Sequence, residues 1–274
     1  MAVIDVGGVQ LACERAGSGP PLLLIMGMSG TALSWGEPFL ELLRADFDVI
    51  AFDNQGVGAS SRLEAPITIA EMAANVAGLV RALGLDSTHV LGISMGGMVA
   101  QELALAHPEL IRTLTLGCTY CGGPGSVRGS DDAWLRIAAA RASGDRELAL
   151  RTSWEMNVSA SFAADEQQYR RFAERALARP VALAVIEAQG RAAVKHDTCA
   201  RLGQIELPTL VVHGSEDQVL PLANGRMIAE LIPGARLEVF EGAGHMFFLE
   251  RPERTAELLR AQKGTGEHAA AVHA

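Results

Sequence analysis

The chain has 274 residues, of which 49% are hydrophobic and 20% are charged, and its formal net charge is −9. These fractions are typical of a folded globular domain and exclude a disordered or fibrous chain. The negative balance, without a cluster of Lys and Arg, argues against nucleic-acid and membrane partners and favours a small molecule. The longest apolar run, residues 22–28, is far shorter than the roughly 20 residues that span a bilayer.

The first residues and the cysteines of the chain predict a cytoplasmic location. The first ten residues lack the basic region that opens a signal peptide. The four cysteines are therefore expected to be reduced thiols. Cys118 and Cys121 form a C-x-x-C pair, but it follows an apolar strand pattern and precedes a glycine-rich loop, which disfavours a redox or zinc site.

Apolar runs of strand length alternate with helical patterns along most of the chain. This alternation predicts an α/β fold, with a mostly parallel, twisted sheet flanked by helices. An opening hairpin is predicted over residues 3–6 and 9–14. Later strands are predicted at residues 22–26, 47–52, 88–93, 114–118, 209–213 and 237–240. Helices are predicted at residues 68–83, where Thr68 and Glu71 form a capping box, at 95–107, at 223–231 and after Pro252.

Strand patterns are absent from the middle of the chain. Four helical stretches are predicted there instead, over residues 131–143, 145–157, 164–178 and 180–194. We therefore expect an α/β core formed by residues 1–118 and 206–274, with residues 119–205 inserted as a helical cap.

Gly92-Ile93-Ser94-Met95-Gly96 forms a G-x-S-x-G motif between a predicted strand and a predicted helix. A sharp turn there projects Ser94 above the sheet, and glycines two residues away on each side let the chain segments pass closely. The N–H of Met95 and the positive end of its helix then face the space beside Ser94, where an oxyanion would form. The alternative is a glycine-rich turn with an incidental serine.

A serine nucleophile needs an imidazole base within hydrogen-bonding reach. His245 lies in a glycine-containing loop directly after the last predicted strand, at the edge of the sheet where the Ser94 turn lies. His89, His107 and His213 lie at strand or helix ends, where a structural role is expected. His245 is therefore the predicted base.

The acid that orients this histidine is expected at the end of the preceding strand. The loop after residues 209–213 contains both Glu216 and Asp217, and we choose Asp217. The order Ser94, Asp217, His245 is that of α/β hydrolases and differs from the two orders found in unrelated serine proteases. The alternative is that Asp217 only caps the turn that follows it.

A second oxyanion donor is expected from the loop after residues 22–26, which lies beside the Ser94 turn in this architecture. The amide of Met28 is the candidate, and Gly27 provides room for the backbone to turn. A purely structural glycine turn is the alternative.

These residues together resemble the α/β-hydrolase superfamily. The resemblance rests on Gly92 to Gly96, the loop at residues 53–60, Asp217 and Gly244-His245, and it covers nearly the whole predicted core. Residues 24–35 and 93–96 are most similar to aclacinomycin methylesterase and related small-molecule esterases, and also resemble enol-lactone hydrolases and cofactor-free haloperoxidases. The resemblance implies a Ser94–Asp217–His245 triad, an oxyanion hole from the Met28 and Met95 amides, and no metal or organic cofactor.

Two departures from that family pattern leave the predicted chemistry intact. Met26 stands where many relatives have histidine, and Gln55 stands where arginine is common. The nucleophile is Ser94 and not an aspartate, which argues against epoxide hydrolase and haloalkane dehalogenase chemistry.

The predicted activity is hydrolysis of a carboxylic ester, a lactone or methyl ester among the candidates, of a largely apolar small molecule through an acyl-enzyme. Aromatic and Met side chains in the cap and site loops suggest an adaptable apolar pocket, and each of them also fits a packing role. The predicted substrate-binding residues are Gly27, Trp35, Trp134, Trp154 and Met246. An acyltransferase, a perhydrolase or haloperoxidase, and a non-catalytic ligand-binding homologue are the alternatives, and an exposed cap leaves a homodimer open.

Overall fold

The computed structural model describes residues 1–129 and 131–272, with the backbone alone at residues 131–134 and 266–272. Its strands form one eight-stranded sheet in the order β1-β2-β4-β3-β5-β6-β7-β8. The strands are β1 (Ala2–Asp5), β2 (Gln10–Gly17), β3 (Pro21–Ile25), β4 (Asp48–Phe52), β5 (Thr88–Ile93), β6 (Ile111–Gly117), β7 (Thr209–Gly214) and β8 (Arg236–Phe240). The pairs β1–β2 and β2–β4 are antiparallel, and the other pairs are parallel. The predicted α/β class is thus confirmed.

The helices lie between and after the strands. They are α1 (Glu37–Arg44), α2 (Ile69–Ala82), α3 (Met95–Ala106), α4 (Asp131–Ala142), α5 (Arg146–Asn157), α6 (Ala160–Ala163), α7 (Glu166–Ala178), α8 (Leu183–Lys195), α9 (Leu222–Leu231), α10 (Phe247–Glu250) and α11 (Pro252–Val272). The capping box of α2 is confirmed, since Thr68 Oγ1 accepts the Glu71 N–H and Glu71 accepts the Thr68 N–H. The sequence prediction missed α1, α6 and α10, which are eight, four and four residues long.

The sheet separates two apolar layers. Successive residues of β3 are fully buried on opposite faces, so that Leu23 packs with α2 and α3 while Leu24 packs with α1 and α11. Burial on both faces explains why the central strands are almost continuously apolar. Each large side chain removed from water in this way contributes about 1.5–3 kcal/mol to stability.

The chain between β6 and β7 contains α4 to α8 and passes over the carboxyl edge of the sheet, where the ends of β3, β5, β6, β7 and β8 meet. Trp154, Val158 and Tyr169 form a small apolar cluster within this segment, separate from the two layers of the core. Among the described residues, none of the helices has the length and hydropathy needed to cross a membrane.

Candidate active site

Ser94 occupies a strained turn between β5 and α3. Its backbone has φ 53° and ψ −125°, a region that non-glycine residues seldom adopt. The flanking glycines are sterically required, because a Cβ at Gly92 would clash with the carbonyl of Gly96, and a Cβ at Gly96 would clash with the carbonyl of Ile25. The Ser94 N–H donates to the Gly117 carbonyl at 2.9 Å, which ties the turn to β6.

Asp217 and His245 follow β7 and β8 and meet at the same edge of the sheet. His245 Nδ1 lies 2.7 Å from Asp217 Oδ2, and both side chains are buried. The other carboxylate oxygen accepts the N–H groups of Val219 and Leu220 at 2.8 and 2.9 Å. A second imidazole, His213 Nε2, lies 3.3 Å from Asp217 Oδ2 and donates to the Leu220 carbonyl at 2.7 Å. The carboxylate is therefore held in one orientation toward His245.

The charges of this pair are strongly coupled. Burial favours the neutral carboxylic acid, but the His245 and His213 imidazoles outweigh burial and lower the pKa of Asp217 to about 2. Burial likewise opposes the imidazolium, but the Asp217 carboxylate outweighs it and raises the pKa of His245 well above its ordinary value. Asp217 thus favours a positive charge on His245, as a general base needs when it takes up a proton.

Cys118 lies between the acid-base pair and the nucleophile turn. Its Sγ is within 4.8 Å of ligand atoms of Asp217 and His245, and burial raises the pKa of the thiol, while contacts with His245 and the Ser94 backbone lower it. The hydrogen bonds of the described residues include none between Ser94 Oγ and His245. Cys118 contacts both His245 and the Ser94 backbone. Sequence reasoning did not place Cys118 here, although β6 lies between β5 and β7 in the sheet.

The residues that carry the predicted oxyanion donors, Met28 and Met95, line the same cavity as Ser94. Gly27 is so close that a Cβ there would stand 3.0 Å from Ser94 Cβ. Met28 lines the same cavity as Ser94, and Met95 is the first residue of α3. The described hydrogen bonds include none donated by the N–H of Met28 or of Met95. Both amides therefore remain available to an acceptor beside Ser94.

A cavity of about 550 Å³ opens above Ser94. One wall comes from the core, where Met98 and Leu220 are among the apolar lining residues, and the other comes from α8. The α8 residues that line it are all small or aliphatic, namely Gly190, Ala193 and Val194. Arg128 is the single charged side chain among the described lining residues. The volume and lining suit a small, largely apolar ligand.

The structure separates two of the predicted substrate-binding residues from this cavity. Trp35 is fully buried in the core, with its ring centroid 6.1 Å from Phe39 and 5.0 Å from Phe248. Trp154 is 1% exposed and packs against Phe162 and Phe172. Neither ring is among the described lining residues of the cavity. Both instead pack among other apolar groups, where burial stabilises a large aromatic ring most.

The other predicted substrate-binding residues differ among themselves. Gly27 adjoins Ser94, as described above. Met246 is half-buried between the core and the cluster of Trp154, Val158 and Tyr169, and its N–H donates to the Asn157 carbonyl at 2.7 Å. It is not among the described lining residues of the cavity. The side chain of Trp134 lies outside the part of the chain that the structure describes.

Comparison with known proteins gives the family. The model of the α/β-hydrolase fold matches residues 20–252. The chain is 32% identical to a protein of Azorhizobium caulinodans named "Putative carbamate hydrolase RutD", across 92% of this chain and 94% of the relative. It is 30% identical to the poly(3-hydroxyalkanoate) depolymerase of Ectopseudomonas oleovorans, across 87% and 82%. A solved esterase from Exiguobacterium antarcticum superposes with a TM-score of 0.83 at 26% identity, across 94% and 97%. The chain therefore belongs to the α/β-hydrolase fold family, among relatives that are hydrolases and esterases.

Proposed function

We propose that this protein is a serine hydrolase that cleaves carboxylic esters of small, largely apolar molecules. The observation that carries the proposal is the arrangement around the cavity. A strained serine lines it, together with Met28 and Met95, whose N–H groups donate none of the described hydrogen bonds. A buried Asp217–His245 pair lies at the same sheet edge and adjoins Cys118, which contacts the Ser94 backbone. The named relatives, an esterase, a poly(3-hydroxyalkanoate) depolymerase and a protein named as a putative carbamate hydrolase, support a hydrolytic activity.

In the proposed mechanism, His245 takes the proton of Ser94 Oγ as that oxygen attacks the ester carbonyl carbon. The carbonyl π electrons move to oxygen, and the Met28 and Met95 N–H groups stabilise the oxyanion. When the tetrahedral intermediate collapses, the bond to the alkoxy group breaks and His245 protonates the leaving alcohol. Water, deprotonated by His245, then attacks the acyl-serine carbonyl carbon and forms a second tetrahedral intermediate. When this intermediate collapses, the bond to Ser94 Oγ breaks, His245 returns the proton to Oγ, and the acid is released.

We propose in addition that residues 119–205 act as a cap that shapes the cavity. The core then supplies the reacting groups, while α8 supplies the facing wall through Gly190, Ala193 and Val194. Substitutions on α8 are therefore expected to change the preferred ester more than the chemical step.

The test is hydrolysis of p-nitrophenyl esters of increasing acyl length, lactones, bulky methyl esters and a p-nitrophenyl carbamate. Ser94→Ala is expected to lower kcat by about 10⁴-fold or more, because the nucleophile is lost. Ser143→Ala, which changes an exposed serine far along the chain, is the matched control and is expected to keep wild-type rates. A fluorophosphonate should label the wild type and Ser143→Ala but not Ser94→Ala.

Each alternative has its own signature in the same experiment. Faster release of p-nitrophenol with added alcohol or peroxide, with transfer of the acyl group to it, would identify an acyltransferase or perhydrolase. A wild-type protein that neither turns over any substrate nor reacts with the phosphonate would contradict the hydrolase and favour a ligand-binding homologue.

A further inference from the structure

Helix α8 contacts the site at a point that the cavity lining does not include. Gln189, next to the lining residue Gly190, is 1% exposed. Its Oε1 accepts the N–H of Ser29 at 2.8 Å, a contact between residues that are 160 positions apart. Ser29 directly follows Met28, whose amide is one of the two proposed oxyanion donors. A side chain of the cap thus bonds directly to the backbone of the first oxyanion loop.

The backbone that receives this bond is strained. Ser29 has φ 59°, and it is one of three described non-glycine residues with positive φ, the others being Ser94 and Cys118. All three follow strand ends at the carboxyl edge, around the candidate site. Such conformations persist only where the surroundings hold them. Two other described bonds hold the loop, and both are longer: the Gly30 N–H donates to the Gly27 carbonyl at 3.2 Å, and Asn54 Nδ2 donates to the Met26 carbonyl at 3.4 Å. The Gln189 bond is therefore the shortest of the three.

The rest of the Gln189 side chain argues against a purely structural role. Its Nε2 is buried and has no hydrogen-bond partner among the described residues. A buried donor without a partner costs stability, so an apolar side chain of similar size would pack better at this place. Among the described hydrogen bonds the side chain makes one, through its acceptor oxygen, and that bond is with the strained loop.

We propose that Gln189 is a positioning residue that holds the first oxyanion loop in its competent conformation. The Met28 N–H belongs to the Gly27–Met28 peptide group, whose carbonyl accepts the long bond from Gly30. By fixing the next peptide group, Met28–Ser29, Gln189 restricts the rotation about Met28 that would turn this N–H away from Ser94. The inference rests on the proposed serine-hydrolase function. It implies that the cap controls not only which ester enters but also whether the oxyanion hole is formed.

Two near-isosteric variants separate positioning from packing. Gln189→Met keeps the size and loses the acceptor, so kcat is expected to fall about 10- to 100-fold, less than the loss of a whole oxyanion donor, with KM changed less than threefold. Gln189→Glu keeps an acceptor oxygen whether or not its carboxyl group is protonated, so kcat is expected to stay within about threefold of wild type.

A second readout does not depend on turnover. Hydrogen exchange of the backbone at residues 26–30 is expected to be at least about tenfold faster in Gln189→Met than in wild type and in Gln189→Glu. Equal kcat in Gln189→Met and wild type, or equal losses of kcat in Gln189→Met and Gln189→Glu, would overturn the inference. The proposed function would still stand if Ser94→Ala is inactive. A wild type without any Ser94-dependent turnover would overturn both.

Discussion

The two walls of the cavity are built in opposite ways. The sheet edge presents groups held by short, buried hydrogen bonds, with Asp217 in contact with His245 at 2.7 Å and with two backbone N–H groups. The α8 wall presents Gly190, Ala193 and Val194, which have no polar side-chain groups. In the proposed function, the first wall positions groups for proton transfer, which depends on hydrogen-bond geometry, whereas the lining residues of α8 contribute shape. We therefore expect changes at these lining residues to alter substrate choice more than the reaction type.

The walls are nevertheless joined by polar contacts. The buried carboxylate of Glu250 accepts the Gly244 N–H of the histidine loop and the Ser159 N–H of the cap, at 2.8 and 3.0 Å. Arg179 Nη1, at the end of α7, lies 3.2 Å from Asp53 after β4. With Gln189 and Ser29, these contacts connect the cap to three loops around the site.

The largest expected effect is on the sheet wall, from Asp217→Asn. We expect kcat to fall about 10³–10⁴-fold, because an amide neither stabilises the imidazolium nor holds the required tautomer of His245. Glu216→Gln is the matched control, since Glu216 is the adjacent acid, is exposed, and makes only a backbone contact. Steady-state kinetics on one ester decides between them, and a comparable loss in Glu216→Gln would undo the assignment of the acid.

Comparing the wild type with Asp217→Asn also gives a pH test. His245 must be neutral to accept a proton, and the Asp217 carboxylate raises its pKa. Wild-type kcat/KM is therefore expected to fall with decreasing pH through a pKa above the ordinary value for histidine. In Asp217→Asn the carboxylate's effect is lost and only the Cys118 contacts still oppose burial, so the pKa of His245 should fall and the remaining activity should persist to lower pH. An unmoved acid limb would show that another group controls it.

The next effect concerns the cap, and it tests whether the cap is a separate packing unit. Trp154→Ala is expected to destabilise the cap by about 3–5 kcal/mol, because it empties the centre of the Trp154–Tyr169 cluster. Hydrogen exchange should rise over residues 146–178 while the sheet strands keep their protection. Leu148→Ala on the same helix removes a side chain that is 47% exposed and should change stability by less than about 0.5 kcal/mol. Equal loss of protection in the sheet would mean that cap and core unfold together.

The smallest effect is on selectivity at the cavity. Arg128 is exposed, so a pairing with an anionic substrate group is worth about 1 kcal/mol or less. Arg128→Gln is expected to lower kcat/KM about two- to fivefold for esters that carry a terminal carboxylate, with neutral esters unchanged. The exposed Arg226, on α9, gives the control Arg226→Gln. The difference should shrink at high salt, and a salt-independent loss for both ester types would exclude a charge effect.

Residues next to strand ends were the ones that sequence patterns predicted well. The turn around Ser94 and the loop with Asp217 follow the buried strands β5 and β7, and the His245 loop follows the partly buried edge strand β8. Chain order and strand direction therefore indicated one shared edge for all three. Contacts across the cap depend on tertiary packing that no local period encodes. For that reason Gln189 was missed, and the aromatic Trp154 was expected at the cavity. Cys118 directly follows β6, and it was missed because its C-x-x-C spacing was weighed only as a redox or zinc pattern.

The place where the cap enters the chain has an evolutionary consequence. The cap leaves the sheet after β6 and returns to it at β7, and these two strands are neighbours paired from Leu114 with Thr209 to Gly117 with Val212. The two strands therefore pair directly with each other, and the insertion lies outside their register. With residues 119–205 as the proposed cap, exchange of this segment is expected to change the substrate while the strand pairing is kept. Such an exchange is constrained by the few side chains that bond to the loops around the site, such as Gln189 to Ser29 and Arg179 to Asp53, since a new insertion would have to replace these contacts.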